Sequence, residues 1–376
     1  MKRRNFIKAA ALGTVGAAAA TAPYVHAESS PRIRWRMATS WPTSLGTLWG
    51  GAEDFAERVS ELTGGRFRIR PYAAGELVGG LQVLDSVQTG TVECGISASY
   101  YFTGKEPTLA IDTALPFGMT TRMQSAWMYY GGGSELMNKE VFSNFGIVAF
   151  PVGNTNAQMA GWFRKEVPDL ASLKGLKMRI PGMGGEVMAQ LGVNVQTLAA
   201  AEVFPALERG VIDATEFVGP YDDEKLGFWQ VAKNYYHPAW WEPCGMISVY
   251  INQKEFDKLP KDYQHALQVA AADCHIKMIA RYDYLNPIAI KRLVDRGVVL
   301  RKFSDEIMKA AQEIAFDMYE ELAEKNKTWA AVYRPWKKFR DSQYAWHSLA
   351  EQGFAEFAAS QADMGQIGAE TGMRYR

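Results

Sequence analysis

Short apolar runs alternate with amphipathic segments along the chain after about residue 30. Apolar and polar residues alternate at 33–38, which predicts a strand, and a second strand is predicted at 67–71. Between them, the helical spacing of apolar residues at 48–62 predicts a helix. A helix at 81–87 and a strand at 93–98 complete a β-α-β-α-β series. Such a series is typical of a doubly wound sheet with helices on both faces, so the first lobe is predicted to be α/β.

The same kind of pattern recurs from about Asn154 onwards. The predicted strands are 159–163, 177–180, 214–218 and 246–251, and the predicted helices are 184–191 and 201–208. Longer amphipathic segments at 260–282 and 304–325 predict two further helices, and Ser304 is the expected N-cap of the second. The fold class is therefore predicted to be α/β, with two lobes followed by C-terminal helices.

The length of the chain supports a division into lobes, because 376 residues exceed a typical single domain. With 48% apolar and 22% charged residues, the chain can bury a large core and differs from a disordered protein. We expect a targeting segment at 1–27, a first α/β lobe at 28–152, a second at 153–250, and a hinge-crossing and C-terminal helical region at 251–376.

The last of these regions is rich in aromatic residues. Two explanations are open: they pack against the lobes as core, or they belong to a helix that docks on a second subunit. The residues are Trp329, Tyr333, Trp336, Phe339, Tyr344, Trp346, Phe354 and Phe357.

The first 27 residues have the pattern of an export signal. Four cations within the first eight residues precede an apolar run at 9–20 and a small-x-small end at 25–27. The pair Arg3-Arg4 and its flanking residues resemble a twin-arginine signal. A membrane anchor is the weaker alternative, because the run is shorter than the about 20 residues that a span needs. The mature protein is predicted to be periplasmic.

Charge and cysteine content exclude several classes of protein. The chain has 41 cationic and 41 acidic residues and no basic stripe, which argues against nucleic-acid binding through phosphates. Cys94, Cys244 and Cys274 are widely spaced and form no C-x-x-C pair, which argues against a structural zinc site. Three buried free thiols are expected, and one disulfide in an oxidising compartment is the alternative.

Motifs of the common enzyme classes are missing from the sequence, including a P-loop, H-E-x-x-H, G-x-S-x-G and a complete G-x-G-x-x-G. Three other segments are distinctive: 154–159, 173–181 and 210–220, which contain L-K-G-L-K-M-R-I and G-V-I-D-A-T-E. With the export signal and the two-lobe pattern, they resemble the DctP-type solute-binding proteins of tripartite ATP-independent periplasmic (TRAP) transporters. The resemblance covers nearly the whole mature chain and is strongest to the 2-oxo acid-binding members.

This resemblance implies a two-lobed periplasmic solute-binding fold that closes by a hinge. It implies capture of a small 2-oxo monocarboxylate such as pyruvate together with a cation, and delivery to the membrane permease of a TRAP transporter. No chemistry on the ligand is expected. The same resemblance implies a homodimer that exchanges a C-terminal helix.

Arg179 lies in an otherwise apolar predicted strand, where an unpaired guanidinium is costly to bury. On the strand alone, an internal salt bridge is favoured. A ligand carboxylate is the alternative, because arginine offers a planar bidentate fork. The resemblance favours the alternative, since the family's arginine at this motif position binds the substrate carboxylate.

Glu216 and Glu242 by themselves are read as solvated acids or salt-bridge partners. The resemblance implies that both carboxylates, the main-chain oxygen of Phe217 and the amide oxygen of Gln158 surround a cation that also contacts the substrate. Hard oxygen ligands suit sodium or calcium. The charge tally favours a divalent ion, whereas the 2-oxo acid-binding relatives imply sodium, so both ions stay open.

Tyr100 and Tyr101 match an aromatic segment that faces the ligand in the family, and packed core is the alternative for them. A tyrosine hydroxyl there would donate to the 2-oxo or 2-hydroxy oxygen. Trp41 and Asn154 are further candidates for the pocket wall. Phe217 departs from the tryptophan of the 2-oxo acid-binding pattern, which leaves the side-chain selectivity of the pocket open.

The size of pyruvate limits how it can be held. Six heavy atoms at a ceiling of about 1.5 kcal/mol each allow roughly 9 kcal/mol, so a closed, dry site is needed for micromolar binding. A dicarboxylate would need a second cationic residue, which these motifs do not offer. Two alternatives remain: lactate or another 2-hydroxy acid bound with calcium, and a secreted oxidoreductase, which the twin-arginine pattern also permits and which would carry a coloured cofactor.

Overall fold

The computed structural model describes residues 31–361. The predicted export signal lies outside the described residues. Within the described range the strands are β1 Ile33–Thr39, β2 Phe67–Tyr72, β3 Cys94–Ser97, β4 Ile147–Asn154, β5 Trp162–Phe163, β6 Lys177–Arg179, β7 Asn194–Gln196, β8 Ala214–Thr215, β9 Asn234–His237, β10 Met246–Asn252 and β11 Val299–Lys302.

The helices alternate with these strands and then dominate the C-terminal part of the described chain. They are α1 Leu48–Leu62, α2 Val83–Gln88, α3 Leu109–Thr113, α4 Thr121–Tyr129, α5 Gly133–Glu140, α6 Gly182–Gln190, α7 Ala200–Glu208, α8 Pro220–Leu226, α9 Gln253–Asp257, α10 Lys261–Asp295, α11 Asp305–Lys325, α12 Lys327–His347 and α13 Gly353–Gln361.

The strands form two sheets, one for each lobe. The first sheet has the order β2-β1-β3-β10-β4, and the second has the order β11-β9-β5-β8-β6-β7. In the first sheet β1 is parallel to β2 and β3, whereas β10 is antiparallel to β3 and β4. The predicted α/β class with two lobes is confirmed.

The position of β10 differs from the order of the sequence. The predicted bounds of the second lobe, 153–250, include all but the last residue of the predicted strand 246–251, but this strand lies between β3 and β4 in the first sheet. All seven of its residues are buried, which is typical of a central strand covered on both faces. The chain therefore leaves the first sheet after β4, builds most of the second, and returns.

Helix α10 is longer than predicted and packs on both lobes. It contacts β4 and α1 of the first lobe and α8 of the second. Proline usually breaks a helix interior, yet α10 contains Pro287 and continues to Asp295. Ser304 is the N-cap of α11, as predicted, and its hydroxyl accepts a hydrogen bond from the Ile307 amide at 3.3 Å.

The aromatic C-terminal segment divides into two parts. Trp329, Tyr333 and Trp336 are almost completely buried and stack in series with ring centroids 5.6 and 6.1 Å apart. Trp346 and Phe354 are 60% and 73% exposed. The first part is core packing, as one explanation required, and the second part presents an apolar surface.

Two further findings concern the described residues. All three cysteines are buried and free, so the expectation of free thiols is confirmed there. Between residues 31 and 361, the helices are all too short or too polar to cross a bilayer.

Candidate functional site

Arg179 ends β6 and is only 1% exposed. Its Nη1 donates to the Oε1 atom of Glu216 and, at 3.1 Å, to the main-chain oxygen of the same residue. Its Nε donates to the Leu198 carbonyl at 3.3 Å. Nη2 has no partner among the described residues. The internal salt bridge is present, and Nη2 is buried in the neighbourhood of Tyr101 without a hydrogen-bond partner within residues 31–361.

Glu216 follows β8, and the carboxyl group of Glu242 adjoins it. Both residues are buried, at 0% and 5% exposure. Atom Oε2 of Glu216 and Oε1 of Glu242 have no hydrogen-bond partner within the described chain. Burial raises the pKa of Glu216, although Arg179 opposes the shift. Burial, and then the charge of Glu216, raise the pKa of Glu242 well above its usual range.

The hydrogen-bonding surroundings determine the orientation of the Gln158 amide. Its oxygen accepts from Thr155 Oγ1 at 2.9 Å, and its nitrogen faces Phe217 O at 3.0 Å and Glu242 Oε2 at 2.7 Å. The oxygens of Phe217 and Glu242, both predicted to bind a cation, thus face the NH2 group of Gln158, whose hydrogens are positively polarised. The four predicted cation ligands are neighbours, but the amide oxygen of Gln158 points away from the other three.

Tyr100 and Tyr101 lie on a 3₁₀ turn, Ser99–Phe102, of the first lobe. Tyr100 lies beside Glu242 and Tyr101 beside Arg179. Burial raises the pKa of Tyr101 and raises that of Tyr100 well above its usual range. Both phenols therefore keep their protons at neutral pH and can act as donors.

A narrow cavity of about 10 Å³ lies between the two lobes at this point. Trp41 is in its wall, as predicted, whereas Asn154 is absent from the wall and accepts hydrogen bonds from the Asn156 and Gly245 amides. The cavity is lined by Trp41, Leu48, Ala98, Tyr100, Tyr101, Thr113, Thr155, Gln158, Phe217, Val218, Gly245 and Ile247.

Arg179, Glu216 and Glu242 adjoin these lining residues without lining the cavity themselves. Sequence reasoning missed Leu48, Val218 and Ile247, because apolar residues carry no chemical signal that separates a pocket wall from ordinary core. Thr155 lies inside a motif segment, and its hydroxyl could have been recognised as a partner for a polar neighbour.

The donor set fits a cation that completes its shell with a bound anion. Across residues 31–361, His, Cys, Asp and Glu do not gather in groups of three or more that could hold a metal ion. Two carboxylates, a main-chain oxygen and an amide are therefore too few acidic ligands for a cage built by protein alone. The buried carboxylate atoms without partners mark where a cation would bind.

Comparison with known proteins is consistent with this geometry. A model of bacterial extracellular solute-binding protein family 7, DctP, matches residues 37–326. The chain is 50% identical over 364 residues to a monocarboxylate 2-oxoacid-binding periplasmic protein of Nostoc sp., which is 96% of this chain and 100% of that protein.

Two solved structures are also similar. A TRAP transporter solute-binding protein of Bordetella bronchiseptica, a mixed-occupancy dimer with co-purified calcium and picolinate in one site, is 42% identical with a TM-score of 0.86, covering 88% of this chain and 98% of that one. A TRAP periplasmic solute-binding protein of Pseudoalteromonas atlantica with bound sodium and pyruvate is 39% identical with a TM-score of 0.84, covering 86% and 99%.

Proposed function

The chain belongs to the DctP family of bacterial extracellular solute-binding proteins, and we propose that it is the periplasmic receptor of a TRAP transporter for a small 2-oxo monocarboxylate such as pyruvate. The observation that carries this proposal is Nη2 of Arg179, a charged donor without a partner on a side chain that is 1% exposed. A buried donor of this kind needs an acceptor. A ligand carboxylate supplies the acceptor and a compensating charge.

Glu216, Glu242, the main-chain oxygen of Phe217 and Gln158 are proposed to bind a cation together with the ligand. Support comes from the unbonded Oε2 of Glu216 and Oε1 of Glu242. The Gln158 nitrogen, 3.0 Å from Phe217 O, would be replaced by the ion, and the amide would turn its oxygen inward. The Phe217 oxygen would thus exchange the amide hydrogens of Gln158 for the cation as its positively charged partner.

Sodium is proposed as this ion, with calcium as the alternative. With both glutamates ionised, the net charge of the two glutamates, Arg179 and one ligand carboxylate is −2. A sodium ion would leave a net charge of −1, whereas a calcium ion would neutralise the site. The Pseudoalteromonas relative holds sodium with pyruvate, and the Bordetella relative holds calcium with picolinate. Oxygen ligands suit both ions.

The narrowness of the cavity favours a small ligand. Its volume of about 10 Å³ is room for about one water molecule, so the lobes would have to part to admit even a small acid. Tyr100 and Tyr101 are proposed to donate to the 2-oxo oxygen from the first lobe, while Arg179 holds the carboxylate from the second. Contacts from both lobes to one ligand would favour the closed form.

The protein is proposed to carry its ligand unchanged to the permease subunits of the transporter. Relatives of this family are extracytoplasmic, and residues 1–27 have the pattern of a twin-arginine export signal. We therefore place the mature chain in the periplasm. A 2-hydroxy acid such as lactate, bound with calcium, is the alternative ligand.

The protein is further proposed to form a homodimer through the C-terminal segment 346–357, which runs from the end of α12 into α13. Trp346, Leu349, Phe354 and Phe357 are 60 to 83% exposed in one chain. Several large apolar side chains exposed on one short segment are typical of an interaction surface. The Bordetella relative is a dimer, and a second copy of this chain is the proposed partner.

Native mass spectrometry and calorimetry test the ligand and the ion together. The mass of freshly purified protein would reveal a co-purified acid and metal, and calorimetry would use pyruvate, 2-oxobutyrate and lactate with sodium, calcium or chelator. Micromolar pyruvate binding that persists in chelator and disappears in sodium-free buffer supports the proposal with sodium, whereas pyruvate binding that disappears in chelator selects calcium as the ion. Tighter binding of lactate with calcium would select the alternative, and no binding of any of these acids would overturn both.

A further inference from the structure

Two consecutive aspartates in α8, Asp222 and Asp223, are both completely buried, but they have different partners. Asp222 accepts a hydrogen bond from the Tyr282 hydroxyl at 2.5 Å. Asp223 accepts from three donors: the Val218 amide at 3.2 Å, Trp162 Nε1 at 2.9 Å and the Tyr235 hydroxyl at 2.8 Å. Only Asp223 bonds to the segment that carries the proposed cation ligands.

The bond to the Val218 amide fixes the direction of a neighbouring carbonyl. The N–H of Val218 and the C=O of Phe217 belong to one peptide unit, and this peptide is trans. In a trans peptide the two groups point in opposite directions. Because Asp223 holds the N–H on one side, the Phe217 oxygen must face the other side, where the Gln158 amide lies 3.0 Å away.

The aspartate is itself held rigidly. Its two side-chain donors, Trp162 and Tyr235, are paired across β5 and β9. Their rings stack with centroids 3.9 Å apart and planes inclined by 17°. On the far side of the segment, the Val218 oxygen accepts from the Met159 amide at 3.0 Å. The peptide is therefore fastened to the second sheet through Asp223.

The neighbouring oxygen of Glu216 is already in use. It accepts from Arg179 Nη1 at 3.1 Å and from Thr215 Oγ1 at 2.8 Å. The Phe217 oxygen faces the Gln158 amide, which also contacts Glu242 Oε2. A carboxylate that accepts from the same peptide's N–H also polarises its carbonyl and makes it a stronger ligand.

From these contacts we infer that Asp223 is a positioning residue for the bound cation: it aims and polarises the Phe217 carbonyl without touching the ion or the acid. The inference rests on the proposed cation site. Mutation of a residue that hydrogen-bonds to a metal ligand typically lowers metal affinity about 10- to 100-fold. The effect should therefore appear in cation affinity and not in the grip of Arg179 on the carboxylate.

The test compares Asp223→Asn with Asp222→Asn. Both changes remove one buried carboxylate from adjacent positions of α8 and leave a tyrosine hydroxyl nearby. Calorimetry would measure the sodium or calcium concentration that gives half-maximal pyruvate binding, and then pyruvate affinity at saturating cation. We expect Asp223→Asn to raise the half-maximal cation concentration about 10-fold or more, with pyruvate affinity at saturating cation within about 3-fold of wild type and with Asp222→Asn unchanged in both.

Several outcomes would overturn the inference. Unchanged cation dependence in Asp223→Asn removes the positioning role, and an equal shift in Asp222→Asn shows a general effect of α8 instead. If Asp223→Asn does not fold by circular dichroism, Tyr235→Phe replaces it, because it removes one donor that holds the carboxylate. A weakening of cation binding by about 3-fold or more then supports the inference, and no change overturns it. Failure of the wild type to need a cation would instead contradict the proposed cation site itself.

Discussion

Arg179 and Glu216 form a buried ion pair in which each side chain keeps one terminal atom unbonded. The guanidinium is 1% exposed and the carboxylate 0% exposed, yet Nη2 and Oε2 have no partners in the described chain. Burial tends to lower the pKa of Arg179, but Glu216 and the nearby tyrosines outweigh that effect and raise it. The guanidinium is therefore charged. An anion beside Nη2 and a cation beside Oε2 would supply the partners that these two atoms lack.

Arg179→Lys should preserve the fold and abolish tight ligand binding. Lysine retains the charge that neutralises Glu216, but an ammonium cannot bond to Glu216, the Leu198 carbonyl and a ligand in one fixed plane. We expect pyruvate affinity to fall by about 100-fold or more in calorimetry, with an unchanged circular dichroism spectrum. Arg164→Lys is the matched control on the exposed surface of the same lobe. Affinity equal to that of the control would show that the carboxylate is held elsewhere.

Glu216→Gln and Glu242→Gln should change the stability of the ligand-free protein in opposite directions. Removing the charge of Glu216 leaves Arg179 buried without a counter-ion, which costs about 3–5 kcal/mol. Burial and Glu216 raise the pKa of Glu242, so its charge repels Glu216 only at a pH high enough to ionise it. Under those conditions, in sodium-free buffer with chelator, removing the charge of Glu242 relieves the repulsion and the midpoint of thermal unfolding should rise. Both variants should lose cation-dependent binding. If both variants shifted the midpoint of thermal unfolding in the same direction, the charge of Glu242 would not repel that of Glu216.

Phe217→Trp should narrow the choice of ligands. The Phe217 ring lines the cavity, and its centroid is 5.4 Å from the Arg179 guanidinium carbon. A larger indole should exclude one methylene, which is worth about 1–3 kcal/mol in a tight pocket. We expect 2-oxobutyrate to lose at least several-fold more affinity than pyruvate, measured by calorimetry. Cation dependence should persist, because the proposed ligand atom of residue 217 belongs to the main chain. An unchanged affinity ratio would place the ring away from the ligand.

The pH dependence of stability should change with opposite sign in Asp112→Asn and His275→Gln. Burial raises the pKa of Asp112 from 3.8 to about 6 and lowers that of His275 from 6.5 to about 4. Between about pH 4 and 6 the folded protein holds the Asp112 proton that the unfolded chain has released, so this group makes stability fall as the pH rises. Over the same range the unfolded chain holds the His275 proton, so this group makes stability rise with pH.

Urea unfolding at pH 4.5 to 7 would measure both contributions as differences between wild type and variant. The Asp112 contribution should amount to about 3 kcal/mol in total across its window. Equal slopes for the two variants would contradict the assignment of both groups.

Charged substitutions in segment 346–357 should separate the dimer. Leu349 and Phe354 are 83% and 73% exposed and carry no hydrogen-bonding side chain. A double change to glutamate adds charge to the proposed interface and should halve the mass measured by light scattering, with pyruvate affinity unaffected. Val269→Glu, at a site 51% exposed on α10, is the control. A monomeric wild type would contradict the proposed dimer.

Local patterns were sufficient to predict the strands and helices of the first lobe as far as β3, but not α3, α4, α5 and β4. The alternation at 33–38 and the helical spacing at 48–62 correspond to β1 and α1, because periodicity reports directly which face of an element is buried. Short strands such as β7 and β11 were missed, since three or four residues carry too little pattern. The end of α10 was misplaced, because the chain beyond residue 282 continues as helix through Pro287.

The sequence by itself determined the chemistry available to this protein. Arg179 and Glu216 lie in distinctive segments, and the resemblance of those segments to a solute-binding family indicated an acid-binding site that also includes Glu242 before any distance was known. Only the tertiary structure decided how these groups meet: that Arg179 bonds Glu216 and still keeps Nη2 free, and that Asp223 rather than the adjacent Asp222 reaches the Phe217–Val218 peptide. The reason is physical. Residue type sets charge and hydrogen-bonding capacity, whereas partners and orientation depend on elements distant in sequence that the two sheets bring into contact.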